Sequence, residues 1–569
     1  MLAKDETTLL KPVTGCSGWR WSLLPVLCAF VGMSIGFSAH AGQPAFGSGV
    51  AVGRVTDGSV TEASGLAASR RNPGVLWTHN DAGSTPRLFA LSTNGTLLRS
   101  FRVSRARDGD FEDIAIGPGP RADIDYLFFA DIGDNDVHRD NVRVYRVPEP
   151  AIYPYFAASP SIETASNGVE IVLEYPDGPH DAEALLVDPL SGDLFIATKQ
   201  RNVSQIYRAT RSQIESNSRV RLQRVGQIDF DAVSGGAISV DGTEIVLRRE
   251  NFAQLWVRAP GESVVDALGR SPIDIPVVGP PTEPNGEAIT FHPTGLGYYT
   301  LSEGSGESIY FFPRTSSDAP PQQVTLVPPG SQWRYLDDGS DQQTAWRLPD
   351  YAESAWMTGA GEFGYGQGDE QTVIGYGGSP DQKHVTTYFR TTFNVANPSA
   401  LATLQLTLLF DDGVGVYPNG TEVLRRHLAA NAGHSDLAVA ENSQFENVWM
   451  SYPLSPALLR PGTNTLAVEV HRYSRSEADL SFDLQLTSVP AGFAPAEVPL
   501  RFTGPPVREG ASWRLVFEGP PGSTVNVECN SDPAAAAWQN LGRVTLTNGS
   551  GSFLHSPPAG SEQFYRLRP

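Results

Sequence analysis

Cysteine is nearly missing from this 569-residue chain, which has three. Cys16 and Cys28 fall within the first 41 residues, so the remainder holds only Cys529. No disulfide can then form within the chain beyond residue 41, and its domains must hold by core burial, which their size permits. Cys529 sits in Val525-Asn526-Val527-Glu528-Cys529, in phase with two valines, which favours a buried strand residue over a thiol that pairs between chains. Positive charge is also short, with 42 Lys and Arg against 63 Asp and Glu and a formal net charge of −21. Such a surface repels nucleic acid and anionic lipid at long range. Helical periodicity is scarce, confined to a short stretch from Arg211 to Ser218 and a turn from Pro456 to Leu459. There is no Gly-x-Ser-x-Gly elbow, no Walker loop and no His-Glu-x-x-His, so several major hydrolase classes lack motif support.

Long apolar runs are missing too. The longest, Trp21 through Phe37, is interrupted by Ser22, Pro25, Gly32, Ser34 and Gly36. It is short of the ~20 residues that a spanning helix needs. Lys4, Lys11 and Arg20 precede it, and Ala39-His40-Ala41 follows it. That is the layout of a secretory signal peptide, so residues 1–41 are read as a leader cleaved after Ala41. The expected protein is periplasmic or extracellular, with no stable membrane span once the leader is removed.

What the chain does have is strand after strand between Gly, Pro, Asn and Asp turns, the signature of an all-β protein. Five copies of one hairpin pattern open at Ser64-Gly65-Leu66, Glu112-Asp113-Ile114, Glu183-Ala184-Leu185, Gly236-Ala237-Ile238 and Glu287-Ala288-Ile289. Their second runs end in His79-Asn80-Asp81, Asp131, Thr198-Lys199, Arg248-Arg249-Glu250 and Ser302-Glu303. The spacings are 48 (64 to 112), 71 (112 to 183), 53 (183 to 236) and 51 (236 to 287). Repeats near this length predict a β-propeller of five or six blades over residues 46–314. The long interval holds either an insertion, Pro148 to Pro160, or a degenerate sixth blade. Residues Val50 to Val55 are placed to complete the last blade.

A Pro- and Ser-rich linker, 315–329, separates this domain from a β-sandwich at 330–489, whose strands are divided by Asp-Gly and Asn-Gly turns. A small β-domain at 497–569 follows another Pro-rich break. In the sandwich, Trp346, Trp356 and Trp449 are expected in the core, with sugar stacking as the alternative. Asp411, Asp412 and Asp483 are candidates for a structural calcium, with solvated turns as the alternative.

In an antiparallel hairpin the start of one strand lies beside the end of the next. The opening acids and closing polar groups of the repeats therefore collect at one end of the first domain. Glu112, Glu183 and Glu287 are the candidate catalytic carboxylates. His79, Lys199, Arg248 and Arg249 are candidates for binding an anionic substrate. Asp81, Asp113, Asp131, Asp134 and Glu303 are candidate metal ligands, and an oxygen-only set of this kind suits calcium. Several carboxylates in one mouth repel one another and need a cation, a basic partner or raised pKa values. Solvated loop ends are the competing explanation. His79 lacks a His-x-x-x-His companion, so a hydrogen-bonding role is favoured over a transition-metal site.

Ser64-Gly65-Leu66-Ala67 with Trp77-Thr78-His79-Asn80-Asp81, then Asp110-Phe111-Glu112-Asp113-Ile114-Ala115 and Asp131-Ile132-Gly133-Asp134-Asn135, resembles secreted bacterial β-propellers of the phytase-like and esterase-like group. The resemblance covers residues 54–312 and implies calcium ions in an acidic channel that binds phosphate, with Glu112, Asp113, Glu183 and Glu287 where those acids would stand. Residues 330–488 are similar to galactose-binding-like jelly-roll modules, and the last domain resembles Ig-like or fibronectin-like appendages. Together these imply a secreted hydrolase of ester or phosphoester substrates with a carbohydrate-binding-like module. The alternative is a non-catalytic extracellular scaffold that binds glycan or protein.

Overall fold

The structure is a computed structural model, and it describes residues 43–568 except 82–85, 153–161, 217–218, 317–323, 444, 491–499, 503–505, 510–511, 519–523, 532–537, 547–549 and 558–562. The expected leader and much of the expected linker lie outside the described residues. The protein is all-β: among the described residues, helix is limited to Arg211–Ser216, Val264–Leu268 and three single 3-10 turns. None of these helices is long and apolar enough to cross a membrane. The chain divides into two compact units, one of them Pro44–Pro495 and the other containing Ala496–Pro569.

Residues 50–314 form five mainly antiparallel sheets, each beginning with one of the repeated motifs. Their first strands are Ala63–Ala68, Phe111–Pro118, Ala182–Val187, Gly235–Ile238 and Gly286–Phe291. Each first strand touches the next, and the fifth returns to the first. Val50–Arg54 pairs with Ser308–Pro313 as the outermost strand of the fifth sheet, so the two ends of this region share one sheet. Among its described residues, the long interval between the second and third repeats makes no sheet of its own. Ile162–Ala165 extends the first sheet in parallel with Leu97–Val103, and Val169–Glu174 continues the second beside Val142–Pro148.

Strand side chains alternate between faces, and each sheet uses both faces to pack on both neighbours. Five apolar clusters result, one between each successive pair. Trp77 and Phe101 of the first sheet meet Phe111, Phe129 and Tyr145 of the second. Tyr126 and Phe128 of the second meet Leu185 and Ile196 of the third. Phe195 of the third meets Trp256 of the fourth, Leu255 of the fourth meets Tyr298 and Phe312 of the fifth, and Leu301 of the fifth meets Leu66 and Phe89 of the first. Ala63–Ala68 and Ala182–Val187 are buried along their whole length.

Residues 324–490 form two facing sheets around one core that includes Trp333, Phe363, Phe389, Leu406, Val468 and Phe482. Asn419 and Gly420, which follow strand Gly413–Pro418, both have positive φ, the turn geometry that an Asn-Gly pair suits. Trp346, Trp356 and Trp449 are 0%, 5% and 1% exposed, so all three pack inside and none offers a sugar platform. This sandwich is docked on the second sheet. Ala151 N donates to Asn447 O at 2.8 Å, Ser451 N donates to Asp123 O at 2.6 Å, and Arg121 lies 4.3 Å over the Phe445 ring. In the C-terminal unit, two small sheets enclose Leu515, Phe517, Val525, Val527, Tyr565 and a buried Cys529.

Candidate functional site: an acidic mouth at the bulged strands

Three of the first strands share the same break in register. In the second sheet Phe111 faces Asp131 and Asp113 faces Ala130, leaving Glu112 as an extra residue. In the third, Ala182 faces Thr198 and Ala184 faces Ala197, leaving Glu183. In the fifth, Gly286 faces Ser302 and Ala288 faces Leu301, leaving Glu287. A bulge re-aims the inserted side chain out of the alternating pattern. Three equivalent bulges thus turn three glutamates the same way, and their charges act on one another and on Lys199.

Lys199 pairs with Glu183. One oxygen from each of Asp81, Asp110 and Glu112 lies within 4.8 Å of the other two. Gly133 shows how close this packing is: a Cβ there would stand 2.1 Å from Glu112 Oε1 and 2.5 Å from Asp110 Oδ2. Its lack of a side chain leaves space for the acids rather than serving a tight turn. Burial pushes the Glu112 carboxyl up to about 11, helped by Glu183, Asp81, Asp110 and Glu287. Burial and then Asp110, Glu303 and Glu183 raise Asp81 to about 7. Glu287 rises to about 8, chiefly by burial and then by Glu183 and Glu303. Glu183 rises to about 7 by burial, with Lys199 opposing the shift.

The set fits a calcium ion on two observations. Every donor is a hard oxygen. Asp81 Oδ1 is buried without a hydrogen-bond partner, as is Glu183 Oε2 beside it in the charge network. Asp81, Asp110 and Glu112 would hold the ion. Next to them Lys199, Ser234, Arg249, Asn251, Asn285 and Glu287 line a cavity of about 410 Å³. Asn285 Nδ2 donates to Glu303 Oε2 at 3.2 Å on its rim.

Other expected members stand elsewhere. Arg248 is fully buried, 3.5 Å from Glu283, and donates to Ala288 O, so it cannot reach a substrate. Asp113 accepts from Ile114 N and Leu185 N, both at 2.8 Å, and thus staples the second first-strand to the third. Asp131 is committed to Arg139 at 2.6 Å and to the Asp110 amide. Asp134 caps its own loop, accepting from His138 N and Arg139 N. His79 is fully buried against Phe129, and burial lowers its pKa to about 4, so it is neutral. In the sandwich, Asp412 accepts from Asn442 N and Tyr473 N, and Asp483 from Gly330 N and Leu484 N. Asp411 instead groups with Glu446 and Asp479. Asp110 was missing from the sequence-derived candidates because it precedes its strand. Its place two residues before Glu112 was the available signal.

No protein-family model matches this chain, and no curated protein sequence matches it. Among solved structures it is similar to the β-glucuronidase of Ruminococcus gnavus, at 10% identity and a TM-score of 0.22, over 42% of this chain and 40% of that one. A β-glucuronidase from an uncultured Clostridium sp. gives 11% identity and a TM-score of 0.21, over 43% of this chain and 42% of that one. The chain thus spans about two fifths of the length of these enzymes, and at such TM-scores the likeness carries no argument about activity.

Proposed function

We propose that the five-sheet ring is a five-bladed β-propeller of an exported protein, and that its mouth is a calcium-assisted site for hydrolysis of an anionic ester, most simply a phosphoester. The convergence of Glu112, Glu183 and Glu287 on three equivalent bulges carries this reading. Bulges are features placed next to active sites to re-aim side chains, and three in phase are hard to ascribe to a solvated rim. Calcium, when bound by Asp81, Asp110 and Glu112, would neutralise charge on the ester group and orient it. Lys199 and Arg249, on the cavity wall, supply the positive groups that an anion needs. Glu287, on the same wall with its pKa raised to about 8, is the carboxyl suited to keep a proton at neutral pH and to give it to a leaving oxygen.

The test is turnover of a panel of phosphate and carboxyl esters by the full chain, with calcium and with chelator. Calcium-dependent hydrolysis that falls about 10²–10⁴-fold in Glu287→Gln supports the proposal, since that is the usual contribution of a general acid. A flat panel would favour the second reading, a non-catalytic mouth that holds an anionic glycan through Lys199 and Arg249. Its support is that Lys199 and Arg249 both stand on the cavity wall, where they can meet an anion without any reaction.

A further inference from the structure

In the sandwich, Glu362 immediately precedes strand Phe363–Tyr365 and is 1% exposed. Neither of its carboxylate oxygens accepts a hydrogen bond of ordinary geometry. Burial raises its pKa well above the usual range, and Asp369 and Asp483 raise it further, with the Ser481 hydroxyl opposing them. An uncompensated carboxylate in such a place is costly.

The loop that follows turns back on Glu362. Phe363–Tyr365 pairs in parallel with Thr372–Val373, and Thr372 N donates to Glu362 O at 2.9 Å. Glu370 ties the loop's own turn, accepting from Gln367 N at 2.8 Å and Gly368 N at 3.0 Å. Two further side chains in this loop end in enclosed atoms without partners: the Gln367 amide, both oxygen and nitrogen, and Asp369 Oδ1. The amide matters, because protonating Glu362 would ease its charge but would leave Gln367 unpaired. Arg99 acts on Asp369, yet Arg99 is engaged by Glu163 at 3.3 Å, and the Asp369 pKa stays raised through burial. Asp483 already accepts from two backbone amides.

We propose that loop 361–370 binds one calcium ion through both Glu362 oxygens, Asp369 Oδ1 and Gln367 Oε1. The donors are all hard oxygens from one loop. Calcium accepts six to eight such ligands in irregular geometry and fills the rest from backbone carbonyls or water, whereas magnesium demands a near-ideal octahedron and zinc prefers nitrogen and sulfur. The ion would lock this loop against the sandwich core, where Phe363 packs on Phe389 and Phe482. This site is independent of the mouth.

Equilibrium dialysis of the full chain against calcium alone counts bound ions. Glu362→Gln and Asp369→Asn should each hold one ion fewer than the parent, while the mouth variant Glu112→Gln should keep that ion. Should Glu362→Gln fail to fold, Asp369→Asn carries the count, because Asp369 is only partly buried. The same number of ions in the parent and in Asp369→Asn would overturn the proposal, as would a parent that holds no calcium. A loss confined to Glu112→Gln would overturn this site and leave the mouth reading standing, and a loss confined to the loop variants would do the reverse.

Discussion

Glu112 and Glu183 occupy the same place on neighbouring first strands, each being the one residue that a bulge leaves unopposed. Their surroundings differ. Glu183 has Lys199 as a partner, whereas Glu112 shares its space with Asp81 and Asp110. Calcium should therefore depend on Glu112 more than on Glu183. In thermal melts, calcium should raise the melting temperature of the parent above its value in chelator, by up to about 2.7 kcal/mol of stability for each site at a hundredfold excess over Kd. Glu112→Gln should lose the mouth's share of that difference and Glu183→Gln less of it. Equal calcium dependence in the parent and both variants would remove the ion from the mouth.

Gly133→Ala offers a test that deletes no ligand. The new methyl group would enter the space held by Glu112 Oε1 and Asp110 Oδ2. Calcium titration, read by calorimetry, should show weakened binding at the mouth. Unchanged affinity would mean that the acids do not gather around an ion there.

Adjacent arginines should behave in opposite ways. Arg248 and Glu283 are both closed off from solvent, and removing one partner of a buried pair costs about 3–5 kcal/mol. Arg248→Ala should therefore show a large loss in urea melts. Arg249, on the cavity wall and paired with the half-exposed Asp231, should tolerate alanine with a change of about 1 kcal/mol or less. It should instead weaken binding of anionic ligands.

Stability should fall with rising pH through Glu149. Its Oε1 accepts from Ser69, from Trp77 Nε1 at 2.8 Å and from Asn72 Nδ2 at 3.1 Å. Burial, and then Asp125, nevertheless raise its pKa to about 7, with Arg71 opposing them. A carboxyl raised in the fold stabilises most while protonated in both states, below about 4.5, and that contribution is lost as pH rises through 7. Urea melts at pH 5 and pH 8 should show a decline in the parent that is smaller in Glu149→Gln. Parallel pH profiles would assign the decline to other groups.

The strands were legible because apolar runs and turn residues alternate so regularly, and Glu112, Glu183 and Glu287 were legible because they open equivalent repeats. Their bulges were not, since a bulge is defined by the partner strand and not by the inserted residue. The same limit explains Arg248 and Asp113. Each adjoins a residue of the mouth, Arg249 and Glu112, and alternation along a strand sends neighbours to different surroundings. His79 precedes Asp81 by two residues, and only the packing on Phe129 reveals that it is enclosed. The parallel addition of Ile162–Ala165 in the long interval depended on pairings over more than sixty residues, such as Ser100 with Ile162. Gln367 had no signal at all, because a glutamine in a Gly-rich loop looks like any solvated turn.

Val50 pairs with Phe311, 261 positions further along the chain. During synthesis, at roughly 5–20 residues per second, the earliest strand would wait about 13–50 s for its partner to be made. Until then its edge is open to any other strand that comes by. The ring's last seam is therefore sewn after its first four sheets exist, and a ring cut short before residue 308 would keep those four sheets and lose the stitch between Val50–Arg54 and Ser308–Pro313.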